Sequence, residues 1–417
     1  MRSVTRRWGI VAALFVVTFG ISMPLAAFGV FLPIMAETFG WSRGAIASAL
    51  SINLVLGGTA GFFVGRLADR HGPRVMLLIT VGLAGLGFGL ISSVTALWQL
   101  YGLVGVLAGA GMSSFYLLST STVAHWFVDR RGFAIALVLS GFNIGYMVAG
   151  PLAAWLIGQL GWRPAYAVIG FGCAIVSMIA ASTVRLPRAH ERESSRGAGT
   201  SAPLTGLSLR QALRDPRFWG VNVSWLLLGA TIFTFSVHAV PFARDQGVSL
   251  AIASFALTAY GLGSVAGRVS TGLLSDRFGT RVTIRAGYAV EMIALIALAS
   301  APGPAVLVPV MVLFGIGAAS TDNAVVRAIP DIFGLRALGG IMGLMTLGWR
   351  AGAAVGPAAA GFLYDLVGSY RVPFGAAPVV VALSWLLFAL ATRASLQADA
   401  APRPGATDRS RGGPATS

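Results

Sequence analysis

Long apolar runs alternate with short polar segments along the whole chain. A helix needs about 20 mostly apolar residues to cross the hydrocarbon core of a bilayer, so each run of that length predicts one membrane-spanning helix. Twelve runs qualify, at approximately residues 8–33, 44–65, 75–94, 97–122, 132–158, 164–185, 217–241, 250–273, 282–301, 304–326, 337–362 and 372–393. The pattern therefore predicts an all-α membrane protein with twelve transmembrane helices.

Composition supports a membrane protein and argues against a soluble domain. Of the 417 residues, 56% are hydrophobic and 11% are charged, and the mean hydropathy is +0.79. Soluble domains carry about 25% charged residues. The formal net charge of +16 comes from arginines in short loops between apolar runs, without the basic face of a nucleic-acid-binding module. We therefore expect the lipid bilayer, and no nucleic acid, as a partner.

The arginines are divided unevenly between the two sets of loops. If the N-terminus is cytoplasmic, the outer loops hold only Arg43, Arg163, Arg244 and Arg371. The inner side then holds residues 186–216 and the larger set Arg2, Arg6, Arg7, Arg66, Arg70, Arg74, Arg130, Arg131, Arg277, Arg281, Arg285, Arg327, Arg336 and Arg393. Cytoplasmic loops of membrane proteins are enriched in basic residues. This distribution predicts a multi-pass protein of the cell (inner) membrane with both termini in the cytoplasm.

One short polar segment occurs twice. Residues 65–74 read Gly-Arg-Leu-Ala-Asp-Arg-His-Gly-Pro-Arg, and residues 272–281, which lie 207 positions later, read Gly-Leu-Leu-Ser-Asp-Arg-Phe-Gly-Thr-Arg. A Gly-Pro pair recurs at nearly the same offset, at Gly150 and Gly356. Glycine and Asp-Arg favour a tight polar turn between two helices. The sequence therefore indicates two six-helix halves in parallel duplication, a plan used by secondary transporters.

The duplication divides the chain into four parts. They are an N-terminal six-helix half (1–185), a cytoplasmic linker (186–216), a C-terminal six-helix half (217–395) and a tail (396–417). Within the linker, residues 208–214 predict a short surface helix. The tail is rich in Pro, Gly, Ser, Thr and Arg and lacks the apolar content needed to fold, so we expect a disordered cytoplasmic end.

Two arginines fall well inside apolar runs, Arg268 in the eighth and Arg350 in the eleventh. An arginine at bilayer depth costs about 2.5–3.5 kcal/mol and does not readily lose its proton. We interpret both as cations that face a central aqueous cavity and bind an anion, because a planar guanidinium suits a bidentate carboxylate. The structural alternatives are an ion pair of Arg268 with an acid, and capping of broken helical backbone by Arg350.

The repeated Gly-x-x-x-Asp-Arg-x-Gly-x-Arg loop resembles the cytoplasmic signature of the major facilitator superfamily. Other segments resemble the monocarboxylate transporters and oxalate/formate antiporters of that superfamily, and these are residues 28–33, 37–43, 126–132, 161–163 and 237–247. Together these segments span most of residues 8–395. The resemblance implies transport by alternating access, with the loops at Asp69, Arg70, Asp276 and Arg277 holding the inner side closed.

The resemblance also implies roles for both buried arginines. Arg268, followed by Val-Ser-Thr-Gly-Leu, matches the arginine that carboxylate transporters use on the substrate carboxylate. Arg350 occupies the place of a lysine in the oxalate exchanger. Two fixed cations imply a dicarboxylate, or an anion with a strongly polar second group. Four residues before Arg268, where animal monocarboxylate carriers have an aspartate implicated in proton coupling, this chain has Ser264, so that coupling residue is replaced.

Three polar side chains are further candidates for substrate binding. Tyr116 in the fourth span and Asn143 in the fifth can donate hydrogen bonds from the side opposite the two arginines. Tyr260 lies two turns before Arg268. The alternative role for each of them is helix packing.

Three titratable side chains are candidates for proton coupling or gating. Asp322 in the tenth span can balance an arginine or hold a proton, and its alternative is an ion pair with Arg327 at the inner interface. Glu291 in the ninth span is expected to be protonated or paired with a neighbour. His238, near the outer end of the seventh span, is a gating candidate, with a hydrogen bond across helices as the alternative.

Nothing in the sequence indicates catalysis. The four histidines show no zinc-binding spacing, no nucleotide-binding loop is present, and Cys173 is the single cysteine, so we expect no metal or cofactor and no internal disulfide. The main hypothesis is a monomeric secondary transporter of small organic anions (mono- or dicarboxylates), driven by proton symport or anion exchange. Efflux of drugs or other hydrophobic compounds is the alternative within transport, and a membrane receptor built on a transporter scaffold is a third reading.

Overall fold

The computed structural model describes residues 2–113, 115–127, 131–187, 206–300, 304–334 and 336–398. Long helices dominate these residues, as the hydropathy pattern predicts. They are α1 (Arg2–Phe39), α2 (Arg43–His71), α3 (Pro73–Gly89), α4 (Leu97–Trp126), α5 (Arg131–Leu160), α6 (Trp162–Ser182), α7 (Pro216–Asp245), α8 (Leu250–Phe278), α9 (Thr280–Ala299), α10 (Pro304–Phe333), α11 (Leu338–Val367) and α12 (Arg371–Ala398). The predicted all-α fold with twelve long helices is confirmed.

Eleven of these helices are long and apolar enough to cross a membrane. The remaining helix is α11, which is 30 residues long. It contains seven glycines together with Arg350 and Asp365, and these residues lower its mean hydropathy. It packs against α7 and α2, and part of its surface, including Val355 and Leu366, is exposed. A span that faces other helices needs less apolar surface than one that faces lipid.

The fourth span is built from several helical pieces. A π-helical stretch, Tyr101–Ala108, follows the short α-helix Leu97–Leu100, and Phe115–Trp126 forms its last part. Short π-helical segments inside α-helices often occur near functional sites. The apolar run at 97–122 gave no sign of this irregularity, because hydropathy does not depend on the hydrogen-bonding pattern of the backbone.

The duplicated segment forms the same turn twice. Gly72, between α2 and α3, has φ = +84°, and Gly279, between α8 and α9, has φ = +81°. Only glycine adopts this backbone conformation without steric cost. We call the end of the molecule with these two turns the motif end. The opposite end, where α1 meets α2 at Gly40 and α7 meets α8 at Gly247, is the far end.

Helix packing follows the duplication. In the first half α1 packs on α5 and α3 on α6, and in the second half α7 packs on α11 and α9 on α12. The halves meet through α2 with α11, α5 with α8, and α1 with α7. The first two contacts are equivalent under the duplication. A seam between two similar halves is thus the natural place for a site that uses residues from both.

The linker is described only at its two ends, because residues 188–205 lie outside the described range. The predicted short helix is present as Leu209–Arg214, with Ser208 and Gln211 forming a capping box at its start. Asp215 accepts a hydrogen bond from the Arg217 backbone N–H at the start of α7, and hydrogen bonds from the Arg217 side chain hold the pKa of the Asp215 carboxyl below its usual value. The division of the chain into halves, linker and tail remains a prediction.

Candidate functional site

Arg268 on α8 faces an acidic residue of α10. Its Nη2 lies 3.8 Å from Oδ2 of Asp322, and Oδ1 of Asp322 accepts a 2.8 Å hydrogen bond from Nε1 of Trp225 on α7. The Arg268 side chain is 47% exposed and that of Asp322 is 18% exposed. At 3.8 Å the two charges attract but form no hydrogen bond. The Arg268 guanidinium is therefore loosely paired and open to a second acceptor.

Tyr116 comes from the other half of the molecule and shares the space around this ion pair. It lies on α4, is 55% exposed and is within electrostatic range of both Arg268 and Asp322. Tyr260, on α8, packs its ring against Phe314 at 5.7 Å and is also within electrostatic range of both charges. Because α4 and α8 belong to different halves, the ion pair borders a cavity between them.

Arg350 reaches across the seam between the halves. It lies on α11, is half-buried, and contacts α2 at Gly57 and Gly58, where Cβ atoms would stand 3.3 and 3.8 Å from its Nη1. Within the described part of the chain, no carboxylate lies within ion-pair distance of Arg350 and no hydrogen bond engages it. The structure thus places a partly desolvated cation at the seam with its donors available.

Asn143 lies on the stripe of α5 that contacts α8. Its backbone oxygen is 3.4 Å from the position of a Cβ at Gly261, and Met147 and Gly150, one and two turns further along α5, also face α8. Asn143 is half-buried. The structure therefore brings Arg268, Asp322, Tyr116 and Tyr260 together, and places Asn143 and Arg350 in the two seams that border the cavity.

Glu291 lies behind α10 and outside this cavity. The side chain lies on α9 and is fully buried. Its Oε2 accepts a 2.7 Å hydrogen bond from the Thr321 hydroxyl, and its Oε1 has no partner among the described residues. Successive residues of a helix point about 100° apart. Thr321 and Asp322 therefore face different sides of α10, and Glu291 does not reach the Arg268–Asp322 pair directly.

His238 forms a buried connection between three parts of the C-terminal half. Its Nε2 is 2.8 Å from the Pro357 carbonyl oxygen on α11, and its Nδ1 is 2.8 Å from the hydroxyl of Tyr370, which directly precedes α12. Since a carbonyl oxygen only accepts, Nε2 donates and Nδ1 accepts from Tyr370. Both nitrogens are engaged, which matches the cross-helix alternative for this residue.

The far end is sealed by a charged network that the sequence analysis did not identify. Arg43, at the start of α2, makes two 2.8 Å hydrogen bonds to the Asp245 carboxylate at the end of α7. Asp365 of α11 accepts from the backbone N–H groups of Arg43 and Gly44, at 2.9 and 2.8 Å. The sequence did place these three charged residues near helix ends on the same predicted side of the membrane, and that placement could have suggested the network. The network joins the two halves.

Other contacts close the outer part of both seams. Ser51 of α2 donates to the Ala354 carbonyl of α11, and Thr258 of α8 donates to the Met147 carbonyl of α5. The space around Arg268 and Tyr116 is therefore closed toward the far end, while both side chains remain exposed.

The predicted gating residues at the motif end are described only in part. Arg70 is exposed at the end of α2, and Arg277 is exposed with its guanidinium carbon 5.3 Å from the Phe278 ring. The side chains of Asp69 and Asp276 lie outside what the structure describes. Arg327 of α10 donates to Ser275 of α8, so these two helices are joined near the motif end.

Comparison with known families identifies the fold. The sequence model of the Major Facilitator Superfamily matches residues 13–242 and, a second time, residues 228–412. The chain belongs to this superfamily. Its twelve-helix structure is similar to that of a bacterial homologue of the human lysosomal transporter Spinster, with a TM-score of 0.78 and 17% identity over 94% of this chain and 98% of that one. The nucleoside transporter NupG superposes with a TM-score of 0.73 at 13% identity, over 91% of this chain and 99% of NupG.

Several proteins that are similar to this chain carry the names of the predicted subgroup. Monocarboxylate transporter 13 of Rattus norvegicus is 25% identical over 87% of this chain and 82% of its own length. The oxalate:formate antiporter of Oxalobacter formigenes is 27% identical over 62% of this chain and 61% of its own length. The resemblance seen in the sequence is thereby confirmed, and the protein is a multi-pass membrane transporter.

Proposed function

We propose that the protein carries small organic anions, mono- or dicarboxylates, by alternating access. The observation that carries this proposal is the placement of Arg350 and Arg268 at the seam and cavity between the halves, one without a partner among the described residues and one loosely paired. A cation at bilayer depth costs about 2.5–3.5 kcal/mol on insertion scales, and a bound anion offsets that cost. The names of two relatives, a monocarboxylate transporter and an oxalate:formate antiporter, agree with this chemistry.

In this mechanism the substrate competes with Asp322 for Arg268. A carboxylate that enters the cavity makes hydrogen bonds that the 3.8 Å separation from Asp322 leaves unused. Arg350 binds the second carboxylate or another polar group of the substrate. Tyr116 and Asn143 contribute hydrogen bonds from the N-terminal half, and Tyr260 lines the C-terminal side. A substrate held in this way touches both halves, which ties its binding to their relative movement.

Alternating access follows from the two ends of the molecule. With the motif end in the cytoplasm, as the arginine distribution predicts, the structure is sealed outside by Arg43, Asp245 and Asp365. Outward opening breaks that network, and the loops at Asp69 and Asp276 then close the cytoplasmic side. We place the protein in the cell (inner) membrane with both termini inside, and it works as a monomer.

Coupling to protons or to a second anion depends on the remaining acids. Ser264, at the position of the aspartate in animal carriers, hydrogen-bonds to the Tyr260 carbonyl and does not titrate. Asp322 is the acid that contacts the cavity, and its protonation releases Arg268 for substrate. Glu291 is reached from Asp322 only through Thr321. If transport is coupled to protons, Asp322 is the residue that binds the proton. If Asp322 stays charged throughout the cycle, the protein exchanges one anion for another.

One observation favours the alternative of hydrophobic-compound efflux. A groove of about 510 Å³ lies between α2 and α11 and is lined by Ile52, Val55, Leu56, Val355, Ala358 and other small or apolar side chains. An apolar compound fits such a groove. Efflux of such compounds would give Arg268 and Arg350 no role, so anion transport is the better-supported function.

Vesicle uptake separates the two functions. Purified protein in vesicles is given radiolabelled oxalate, lactate and formate, and in parallel their neutral amides. We expect uptake of one or more acids, no uptake of the amides, and loss of uptake in Arg268→Ala and Arg350→Ala. Arg371→Ala, which removes an exposed arginine of the same half, serves as the matched control. Equal transport of acids and amides would refute the anion assignment.

A further inference from the structure

The side chain of Arg350 lies along a pair of glycines from the opposite half. A Cβ at Gly58 would stand 3.2 Å from Cδ of Arg350 and 3.8 Å from Nη1, and a Cβ at Gly57 would stand 3.3 Å from Nη1. Favourable contacts between carbon atoms are about 3.5–4.0 Å long. The bare backbone of α2 therefore touches both the stem and the head of the arginine, at a distance that a methyl group would disturb.

This contact limits where the guanidinium can be. A long arginine side chain has many rotamers, and one without a bonded partner has little else to order it. Here the stem is restricted on one side by Gly58, and Leu347 of α11 lies 3.5 Å from the same Cβ position. The glycine pair thus defines the position of the cation while the far end is closed.

We propose that Gly57 and Gly58 are positioning residues, which set the affinity for the anion by fixing the guanidinium of Arg350 at the seam. This inference rests on the proposed role of Arg350 in anion binding. Because the glycines belong to the N-terminal half and Arg350 to the C-terminal half, the cation is held in place only while α2 and α11 touch at this level. Rocking of the halves shifts that contact and with it the binding position of the anion.

Gly58 is the better position for a test. A side chain at Gly57 would also come within 3.1 Å of the Gly109 carbonyl oxygen on α4, so its substitution would disturb backbone packing. The atoms near a Cβ at Gly58 are the ends of two flexible side chains, Arg350 and Leu347. Gly58→Ala should therefore displace the Arg350 side chain without disturbing the helix backbone. Gly58→Val should displace it further.

The experiment is a thermal-shift titration of the full-length protein. A panel of one- to six-carbon mono- and dicarboxylates is screened first, and the probe is the acid whose shift Arg350→Ala reduces most while binding remains measurable. Dissociation constants for this probe are then measured for Gly58→Ala, Gly58→Val and each change combined with Arg350→Ala. Gly82→Ala, where a Cβ meets nothing within 4 Å, controls for glycine replacement in general.

We expect the dissociation constant to rise about threefold in Gly58→Ala and about tenfold in Gly58→Val, where tenfold corresponds to 1.4 kcal/mol. The melting temperature without ligand should stay near wild type, and so should the dissociation constant of the Gly82→Ala control. In the Arg350→Ala background, Gly58 variants should have no further effect on the weak residual binding.

Two outcomes overturn the inference, and they are distinguishable. If no carboxylate gives a thermal shift that depends on Arg350, the proposed function fails, and Gly57 and Gly58 have no anion-binding role to support. If Arg350→Ala weakens binding but Gly58→Val leaves the dissociation constant within about twofold of wild type, or raises it equally in both backgrounds, the function stands and the positioning role is wrong.

Discussion

At the scale of single residues, the site differs from its surroundings in charge and in pairing. Arg43 and Arg217 are engaged by carboxylates at hydrogen-bond distance, whereas Arg268 stands 3.8 Å from Asp322. Arg350 has no acceptor within the described part of the chain. Arg163 likewise donates to the Ser92 and Val94 carbonyl oxygens. These three arginines have acceptors at hydrogen-bond distance, and among the described residues Arg268 and Arg350 do not. Unused donors at a protected position are typical of a ligand site.

Removing the competing acid should strengthen binding. In Asp322→Asn, the amide oxygen still accepts from Trp225 Nε1, but the negative charge beside Arg268 is lost. We expect carboxylates to bind about three- to tenfold more tightly, because the substrate no longer displaces an attractive charge from Arg268. Competition binding on purified protein measures this. Weaker binding would show that Asp322 supports the site and does not compete for it.

His238 should matter for stability and not for substrate. In His238→Phe the Tyr370 hydroxyl and the Pro357 carbonyl lose their buried partner, at a cost of about 1–3 kcal/mol for each unpaired group. The melting temperature should fall while the carboxylate affinity stays near wild type. His125→Phe, at an exposed histidine, is the control and should leave both unchanged. A His238→Phe protein of normal stability with altered transport would contradict the structural role.

At the scale of helices, the ends of α2, α7 and α11 form the closure of the far end. Asp365 acts as an N-terminal cap for α2 although it belongs to the other half, since it accepts from two backbone N–H groups there. Arg43 also stacks over the Tyr364 ring at 4.0 Å. Opening this end separates a helix from its cap and breaks a bidentate ion pair in one movement.

Arg43→Ala should therefore favour opening at the far end. A Cys173→Ser protein with Ser51→Cys places one half-buried thiol between α2 and α11, at the contact with Ala354 and at the edge of the apolar groove. In intact cells, a membrane-impermeant maleimide should label this thiol several-fold faster after Arg43→Ala, because the seal is weakened. Arg371→Ala, at an exposed arginine near the same end, should leave the rate unchanged. Equal rates in all three proteins would mean that Arg43 does not hold the end closed.

The sequence was a good guide to the helices and a partial guide to the site. Apolar runs separated by polar turns predicted every span, and the repeated turn at Gly72 and Gly279 predicted the duplication. Arg268 and Arg350 stood out because charges are rare in apolar runs. Arg43 did not, since a charge at a helix end is ordinary, and its partners Asp245 and Asp365 lie 202 and 322 residues away. Such distances become contacts only after the halves are assembled.

Trp225 shows the same limit at a single residue. An indole N–H inside a membrane span needs an acceptor, but the sequence does not say which one. The structure supplies Asp322, 97 residues further along the chain. The glycines under Arg350 were likewise two of 54 in the chain, and only the approach of α11 distinguishes them.

At the scale of the whole molecule, the two halves meet around a centre that holds excess positive charge. Contacts of α2 with α11, of α5 with α8 and of Arg43 with Asp245 close the space toward the far end, and the Arg268 side chain remains 47% exposed. An anion bound there contacts residues of both halves. The charge of the substrate therefore links its binding to the movement of the halves.

The most direct test of this claim is a thermal-shift screen of carboxylates and their neutral amides against wild type, Arg350→Ala and Arg371→Ala. We predict a stabilising shift for one or more acids, largest for dicarboxylates, that is absent for every amide, lost in Arg350→Ala and retained in Arg371→Ala. A shift of the same size for acids and amides, or one that persists without Arg350, would contradict it.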